Sequence, residues 1–300
     1  MSKLKYWIQA ARLRTLPLSV SGIIVGSSLA AYNGFFDWQI FILAILTTIS
    51  LQVLSNFAND YGDGVKGTDN EDRIGPERAL QSGNISAEQM LEVIKKNILI
   101  CIILSFGLIY SAFGSKHLLY ALIFFVIGLL SIYAAIKYTM GSNAYGYRGL
   151  GDIFVFLFFG LVSVIGSYVL YSKQIDHVTF LPACTLGLLS AAVLNLNNMR
   201  DIESDRKAEK NTLVVKLGSA KAKKYHYFLI ISAIALSFLY GILYYNSIFN
   251  FLFLIAYIPL FIHLKTVKNN TEPVALDPEL KKLALTTFLF AILLAIGHLL

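Results

Sequence analysis

The sequence predicts an all-α fold, a polytopic membrane bundle of nine transmembrane helices forming one domain over residues 1–300. Three observations predict it. The chain is 56% hydrophobic and only 14% charged, against about 25% charged in an ordinary soluble domain. The apolar residues fall into nine long runs, each close to the roughly 20 residues that a helix needs to cross hydrocarbon. The basic residues crowd into alternate loops, so the net charge of +7 reads as membrane topology. It requires no nucleic-acid partner.

In chain order the runs cover 15–32, 38–58, 97–114, 117–136, 152–171, 178–197, 225–245, 248–264 and 283–300. The first follows Lys3, Lys5, Arg12 and Arg14 and contains Ser28-Leu29-Ala30, a pattern also found at signal-peptide cleavage sites. Eight further runs, and the placing of Arg14 before Pro17, favour a retained helix that contributes to a site. Ser86-Ala87-Glu88-Gln89 reads as a capping box that restarts a helix after a loop over about 64–85. Short linkers such as Asn33 to Asp37 favour antiparallel neighbours. Of the 25 Lys and Arg residues, only Lys116 and Lys173 fall outside the N-terminal segment and the loops after runs two, four, six and eight. The positive-inside rule then puts the N-terminus in the cytoplasm and the C-terminus outside. Cys101 and Cys184 lie inside apolar runs and form neither a metal-ligand spacing nor a disulfide framework.

The chemistry is concentrated where the second and sixth runs end. After run two comes Asn56-Phe57-Ala58-Asn59-Asp60-Tyr61-Gly62-Asp63-Gly64-Val65-Lys66-Gly67-Thr68-Asp69. On a continuing helix, Asn56, Asn59, Asp60 and Asp63 share one face. Gly62, Gly64 and Gly67 would then let the chain leave the helix and return Asp69 toward the same place. After run six comes Asn197-Asn198-Met199-Arg200-Asp201-Ile202-Glu203-Ser204-Asp205-Arg206, where Asn198, Asp201 and Asp205 share a face. Carboxylates at membrane depth are expensive and mark function. Two clusters at the same side suit a hard divalent cation such as Mg2+, which in turn would hold a substrate diphosphate. The bland alternative is a pair of solvated polar helix ends. The competing functional class is an ion-coupled transporter, which also uses repeated helices with polar midpoints.

A diphosphate also needs cations. Lys66, Arg73 and Arg78 follow the first motif, and Lys137, Tyr138 and Arg148 follow run four. Arg14 is placed either to snorkel to the interface or to hold an acidic acceptor. His117, His177, His226, His263 and His298 are scattered at spacings that pair none of them, and no P-loop, GxGxxG or Ser-His-Asp pattern occurs.

These strings resemble a known family. Asn59-x3-Asp63 and Asp201-x3-Asp205 look like the two Asp-rich motifs of the UbiA-type membrane prenyltransferases, which have nine helices. Together with Arg14-Thr15-Leu16-Pro17-Leu18-Ser19 and Tyr147-Arg148-Gly149-Leu150-Gly151-Asp152, they resemble most closely the bacterial 1,4-dihydroxy-2-naphthoate polyprenyltransferases of menaquinone synthesis. Gly67 departs from the superfamily, which often has Asp there, and Asp69 stands in for it in this branch. The resemblance implies a cavity open to lipid and a site on the cytoplasmic side of the bacterial inner membrane. It implies Mg2+ on Asp63, Asp201 and Asp205, with Asp60 and Asp69 as further candidate ligands. Asn59 and Asn198 would bind or orient the polyprenyl diphosphate, joined by Lys66, Arg73, Arg78 and Tyr138. Lys137 and Arg148 would stabilise departing pyrophosphate, and Arg14 would meet the acceptor. The implied reaction moves the prenyl group to 1,4-dihydroxy-2-naphthoate with loss of CO2. An alternative acceptor is 4-hydroxybenzoate.

Overall fold

The computed structural model describes residues 3–68 and 78–300. Asp69 and Arg73 lie outside the described residues. The described residues are helical, without a strand. Nine helices among them are long and apolar enough to cross a membrane. They are α1 Leu4–Tyr32, α2 Trp38–Val65, α3 Ala87–Phe113, α4 Leu118–Lys137, α5 Gly151–Ser172, α6 His177–Arg200, α7 Ser219–Leu243, α8 Ile248–Asn269 and α9 Pro273–Leu299.

Several helices outrun their apolar runs at the motif end. The apolar run marks hydrocarbon, whereas a capped helix continues into the polar interface. α3 starts at Ala87 because the Ser86–Gln89 capping box forms: Gln89 N–H donates to Ser86 Oγ and Ser86 N–H to Gln89 Oε1, both at 3.3 Å. At the other end Asp37 caps α2, accepting from the amides of Gln39 and Ile40 at 2.7 and 3.1 Å. Each cap satisfies amides that the first helical turn leaves open.

α1 is broken rather than straight. Arg12 is left-handed, with φ 48°, and a 3-10 turn covers Leu13–Thr15 before the helix resumes. Pro17 has no N–H to give to the preceding turn. Asn56 on α2 braces the break, donating to the Ala11 carbonyl at 2.8 Å and to Thr15 Oγ1 at 3.2 Å. Arg12 and Arg14 at the break both line the cavity described below, Arg14 from an exposed position.

α1 packs along α9, α2 along α3, and α6 against α5 and α7. One apolar core joins α1 to α5 through α9, and a second ties the start of α1 to α2, α3 and Ile132 of α4. By contrast α4 buries only Ile132 and Ala134 and exposes Leu118, Leu119, Leu122 and Val126. Such a face suits lipid as its solvent.

The three motif glycines do different jobs. α2 continues through Gly62 and Gly64 to Val65, and only Gly67, at φ 73°, turns the chain. Gly62 is a contact point instead: a Cβ there would lie 2.5 Å from Thr139 Oγ1 and 2.8 Å from the Thr139 carbonyl carbon. Gly62→Ala should therefore push the segment after α4 off α2, costing about 1–3 kcal/mol as overpacking. A lowered Tm in detergent would show it.

Candidate active site

α2 and α6 end at the same end of the bundle, and their polar residues open onto one cavity of about 870 Å3. Asn59, Asp63, Arg78, Tyr138, Asn198 and Lys210 line its polar end. From there it passes between walls that include Leu51, Ile109, Phe124, Phe158 and Val162, as far as Ala44 on α2 and Leu170 on α5. At 1.5 Å per residue, Ala44 to Asp63 corresponds to roughly 28 Å along α2. A charged head group with a long apolar tail matches this shape.

Asp63 is the centre of the polar end. It is buried, with 2% exposure. Its Oδ1 accepts from the Tyr147 hydroxyl at 2.8 Å. Its Oδ2 lies 3.4 Å from Arg78 and 3.8 Å from Lys210 Nζ. The same Lys210 ammonium is 3.6 Å from Asp205 Oδ1, so one cation joins the two motifs. Asp205 is also buried, and its Oδ2 has no hydrogen-bond partner. Burial pushes its carboxyl up to about 6, against the pull of Lys210; Asp201 and Asp63 add to the rise. The two carboxylates hold Lys210 above the usual lysine range despite its burial. Burial and the charge of Asp63 raise Tyr147, which keeps it a proton donor.

Lys210 and Tyr147 were not assigned roles from sequence. Lys210 is placed by a Schellman turn closing the helix Ile202–Lys207: Glu209 N–H donates to Arg206 O, and Lys210 N–H to Asp205 O at 2.8 Å. Glu209 takes the left-handed position, φ 54°, where Gly is usual. The turn folds Lys210 back over Asp205. Tyr147 belongs to the 3-10 turn Tyr145–Arg148, which closes on Tyr138 through the Gly146 amide at 3.0 Å. Its hydroxyl also meets Thr68 Oγ1.

Several of the residues singled out in the sequence make other contacts here. Asp60 shares the helix face of Asp63, but its carboxylate accepts from the amides of Ala79 and Leu80, both at 3.3 Å. It anchors the returning chain and so delivers Arg78 to Asp63. Asp201 is held by Arg200, which donates from Nε at 2.8 Å and from Nη2 at 2.7 Å. Arg200 also reaches Asp277 on α9 at 2.5 Å. Both Asp201 oxygens are thus occupied by a buried guanidinium that clamps α6 to α9. Lys66 turns away from the cavity, donating to the Thr139 carbonyl at 2.7 Å with its ammonium 4.0 Å from the centre of the Tyr147 ring. Burial holds it below the ordinary lysine range. Arg148 is exposed, and neither Arg148 nor Lys137 is in the cavity wall. Gly149, at φ 76°, turns the chain after Arg148, and the Arg148 carbonyl takes Lys216 Nζ at 2.7 Å. Arg14, Asn59, Asn198, Arg78 and Tyr138 do line the cavity.

The donor set fits a hard divalent cation. Among the described residues no group of three His, Cys, Asp or Glu side chains comes together as a metal cage. Asp63 and Asp205 form instead a two-carboxylate site with amide oxygens nearby. That composition suits Mg2+, which is typically bound by one or two carboxylates, water and substrate phosphates. The spare Asp205 Oδ2 and the ammonium between the carboxylates mark a place built for positive charge.

Known proteins agree with this architecture. The chain is 42% identical over 298 residues to the 1,4-dihydroxy-2-naphthoate octaprenyltransferase of Escherichia coli, covering 99% of this chain and 96% of the relative. It is 44% identical over 300 residues to the Haemophilus influenzae protein of the same name, covering 98% and 96%. A UbiA homolog from Archaeoglobus fulgidus, solved bound to DMAPP and Mg2+, superposes with TM-score 0.68 at 15% identity, covering 98% of this chain and 99% of that one. The apo UbiA homolog from Aeropyrum pernix gives 0.71 at 16% identity, covering 95% and 97%. Residues 19–275 match the model of the UbiA prenyltransferase family, and the chain belongs to that family.

Proposed function

We propose that the protein transfers a polyprenyl group from polyprenyl diphosphate to 1,4-dihydroxy-2-naphthoate. Pyrophosphate and CO2 leave, and a demethylmenaquinone forms at the quinol level. This reading is supported by one cavity that has Asp63, Arg78 and Lys210 at one end and a long apolar path at the other, with Asp205 joined to that end through Lys210. The names of the relatives, which share over two fifths of their residues with this chain across nearly its whole length, support the naphthoate as acceptor. The excess of Lys and Arg in the motif-side loops supports a motif end at the cytoplasmic face of the inner membrane.

Asp63 and Asp205 would hold Mg2+, and Asn59 and Asn198 would orient the diphosphate. Bound metal would supply charge that neutralises the diphosphate and favours its departure. The chain's own contribution is positional and electrostatic. The allylic C–O bond breaks, and its electron pair leaves with the pyrophosphate. Arg78 and Lys210, already at the carboxylates, receive that developing charge in a site shielded from water. These two take the part that the family resemblance implies for Lys137 and Arg148. The apolar walls keep water from the allylic cation until the electron-rich ring carbon closes the C–C bond; the ring–carboxylate bond then breaks, its electron pair stays with the ring, and CO2 leaves. Tyr138, uncharged because burial raises its hydroxyl far above the working range, lines the same chamber as a neutral donor.

Arg14 stands at the cavity on the break in α1 and is proposed to face the acceptor. Arg14→Ala should raise the acceptor KM about tenfold, the value of one charged hydrogen bond, and leave the polyprenyl diphosphate KM near wild type. The reverse pattern would remove Arg14 from the acceptor side. The activity itself is tested by extracting the lipid product after incubation with each acceptor. A prenylated naphthoquinol lacking the carboxyl mass supports the proposal, whereas a prenylated product that retains the carboxyl would refute the decarboxylating step.

A further inference from the structure

Three histidine-bearing helices carry a buried polar chain outside the two motifs. His226 on α7 and His263 on α8 are 0% and 3% exposed, and Glu279 on α9 is 3% exposed. His226 Nε2 lies 2.9 Å from His263 Nε2. His263 Nδ1 lies 2.7 Å from Glu279 Oε2. Glu279 Oε1 accepts from Lys282 Nζ at 2.6 Å. The chain ends there, on a side chain that is 65% exposed and lines the cavity beside Lys281.

The bonding pattern fixes a direction. The Glu279 carboxylate accepts from Lys282 through one oxygen, and its other oxygen accepts a hydrogen bond from His263 Nδ1–H. Neutral His263 then has a bare Nε2, which accepts from His226 Nε2–H. His226 is left with a bare Nδ1, and that atom is the one buried without a partner. Both imidazole N–H groups are used, and the one unsatisfied imidazole atom is an acceptor. Each link holds the next from behind: His226 sets the His263 ring, His263 sets Glu279, and Glu279 sets Lys282.

A staple between three helices would need no charged end on the cavity. An ammonium has three N–H donors, and Glu279 takes one. At the polar end, Arg78 and Lys210 already face Asp63 and Asp205. Lys282 lies five residues after Asp277, roughly 7.5 Å along α9, and Asp277 is tied through Arg200 to the second motif. Two basic groups thus face one cavity, one at the motif carboxylates and another beyond them. The proposed reaction brings two anions: the diphosphate and the carboxylate of the aromatic acceptor.

We propose that Lys282 binds the acceptor carboxylate, and that Glu279, His263 and His226 are positioning residues that aim its ammonium into the cavity. The inference rests on the aromatic-acid reading given above. Arg14, on the neighbouring α1, lines the same cavity and supplies a second donor.

The test uses purified full-length protein and reads KM for each substrate, with inhibition by 1-hydroxy-2-naphthoate and by 1-naphthol, which lacks the carboxylate. Lys282→Met should raise the acceptor KM and the hydroxynaphthoate inhibition constant about tenfold or more, the range for a charged hydrogen bond. The polyprenyl diphosphate KM and the 1-naphthol constant should stay near wild type. Lys282→Arg should restore most of the acceptor affinity. His263→Leu should raise the acceptor KM severalfold, and His263→Asn, which keeps an N–H toward Glu279, should recover it. Lys282 is exposed, so its variants retain the fold even where a buried histidine variant does not. An unchanged acceptor KM in Lys282→Met, or parallel changes for both inhibitors, would overturn this inference alone. A wild-type protein that prenylates no aromatic acid would overturn it together with the proposed function.

Discussion

Asp63→Asn should lower kcat by on the order of 10^3-fold, the scale of losing a preorganised charge at the reacting group, while the protein remains folded. Asp63 is where the two motifs and the loop cations meet: Tyr147, Arg78 and Lys210 all reach it. The amide matches the carboxylate in shape and still accepts from Tyr147, so the packing survives. It cannot serve as an anionic metal ligand, and Arg78 and Lys210 lose their counter-charge. Turnover of the naphthoate should collapse, while Tm in detergent changes by a few degrees at most. Turnover near wild type would show that the metal and diphosphate are held elsewhere.

Lys210→Met should act in opposite directions on metal binding and turnover. Without substrate, Lys210 sits between Asp63 and Asp205, where it competes with any divalent cation. Removing it leaves two buried carboxylates repelling each other, so Mg2+ affinity in the absence of diphosphate should rise. Turnover should fall by about 10^2-fold, because a cation is lost from the departing pyrophosphate. Calorimetric titration with Mg2+ and a steady-state assay on one preparation read both. Weaker Mg2+ binding in the variant would mean that Lys210 supports the metal site instead of guarding it.

The helices were legible because hydrocarbon imposes its own length on them. All nine apolar runs lie within or at the ends of the nine helices, and only the polar ends were short in the sequence reading. The positions of Asn59, Asp63 and Asn198 at one cavity were also legible, since helical spacing aligns residues that leave a span together. What spacing could not separate was function within a face. Asp60 and Asp63 are neighbours on α2, yet one serves loop amides and the other the cavity. The choice depends on where residues 79 and 80 return. Asp201 looked equivalent to Asp205, but Arg200 beside it closes a two-point ion pair that only the α6–α9 approach completes. Lys210 was hidden because its turn uses Glu209 in a left-handed position, without the glycine that normally marks one. The histidine pair was hidden for a similar reason: His226 and His263 stand on different helices, and their register is set by how α7 meets α8.

The cavity is proposed to bind a prenyl diphosphate at the motif carboxylates and to break its allylic bond for an aromatic acceptor. The most direct test is Mg2+-dependent release of pyrophosphate by the purified protein. Polyprenyl diphosphate would be supplied with 1,4-dihydroxy-2-naphthoate and, in parallel, with 4-hydroxybenzoate. Release that needs both Mg2+ and the naphthoate is the predicted result. Release with the benzoate alone would keep the mechanism and change the acceptor. No release with either, from folded protein, would contradict the account and favour an ion-coupled carrier.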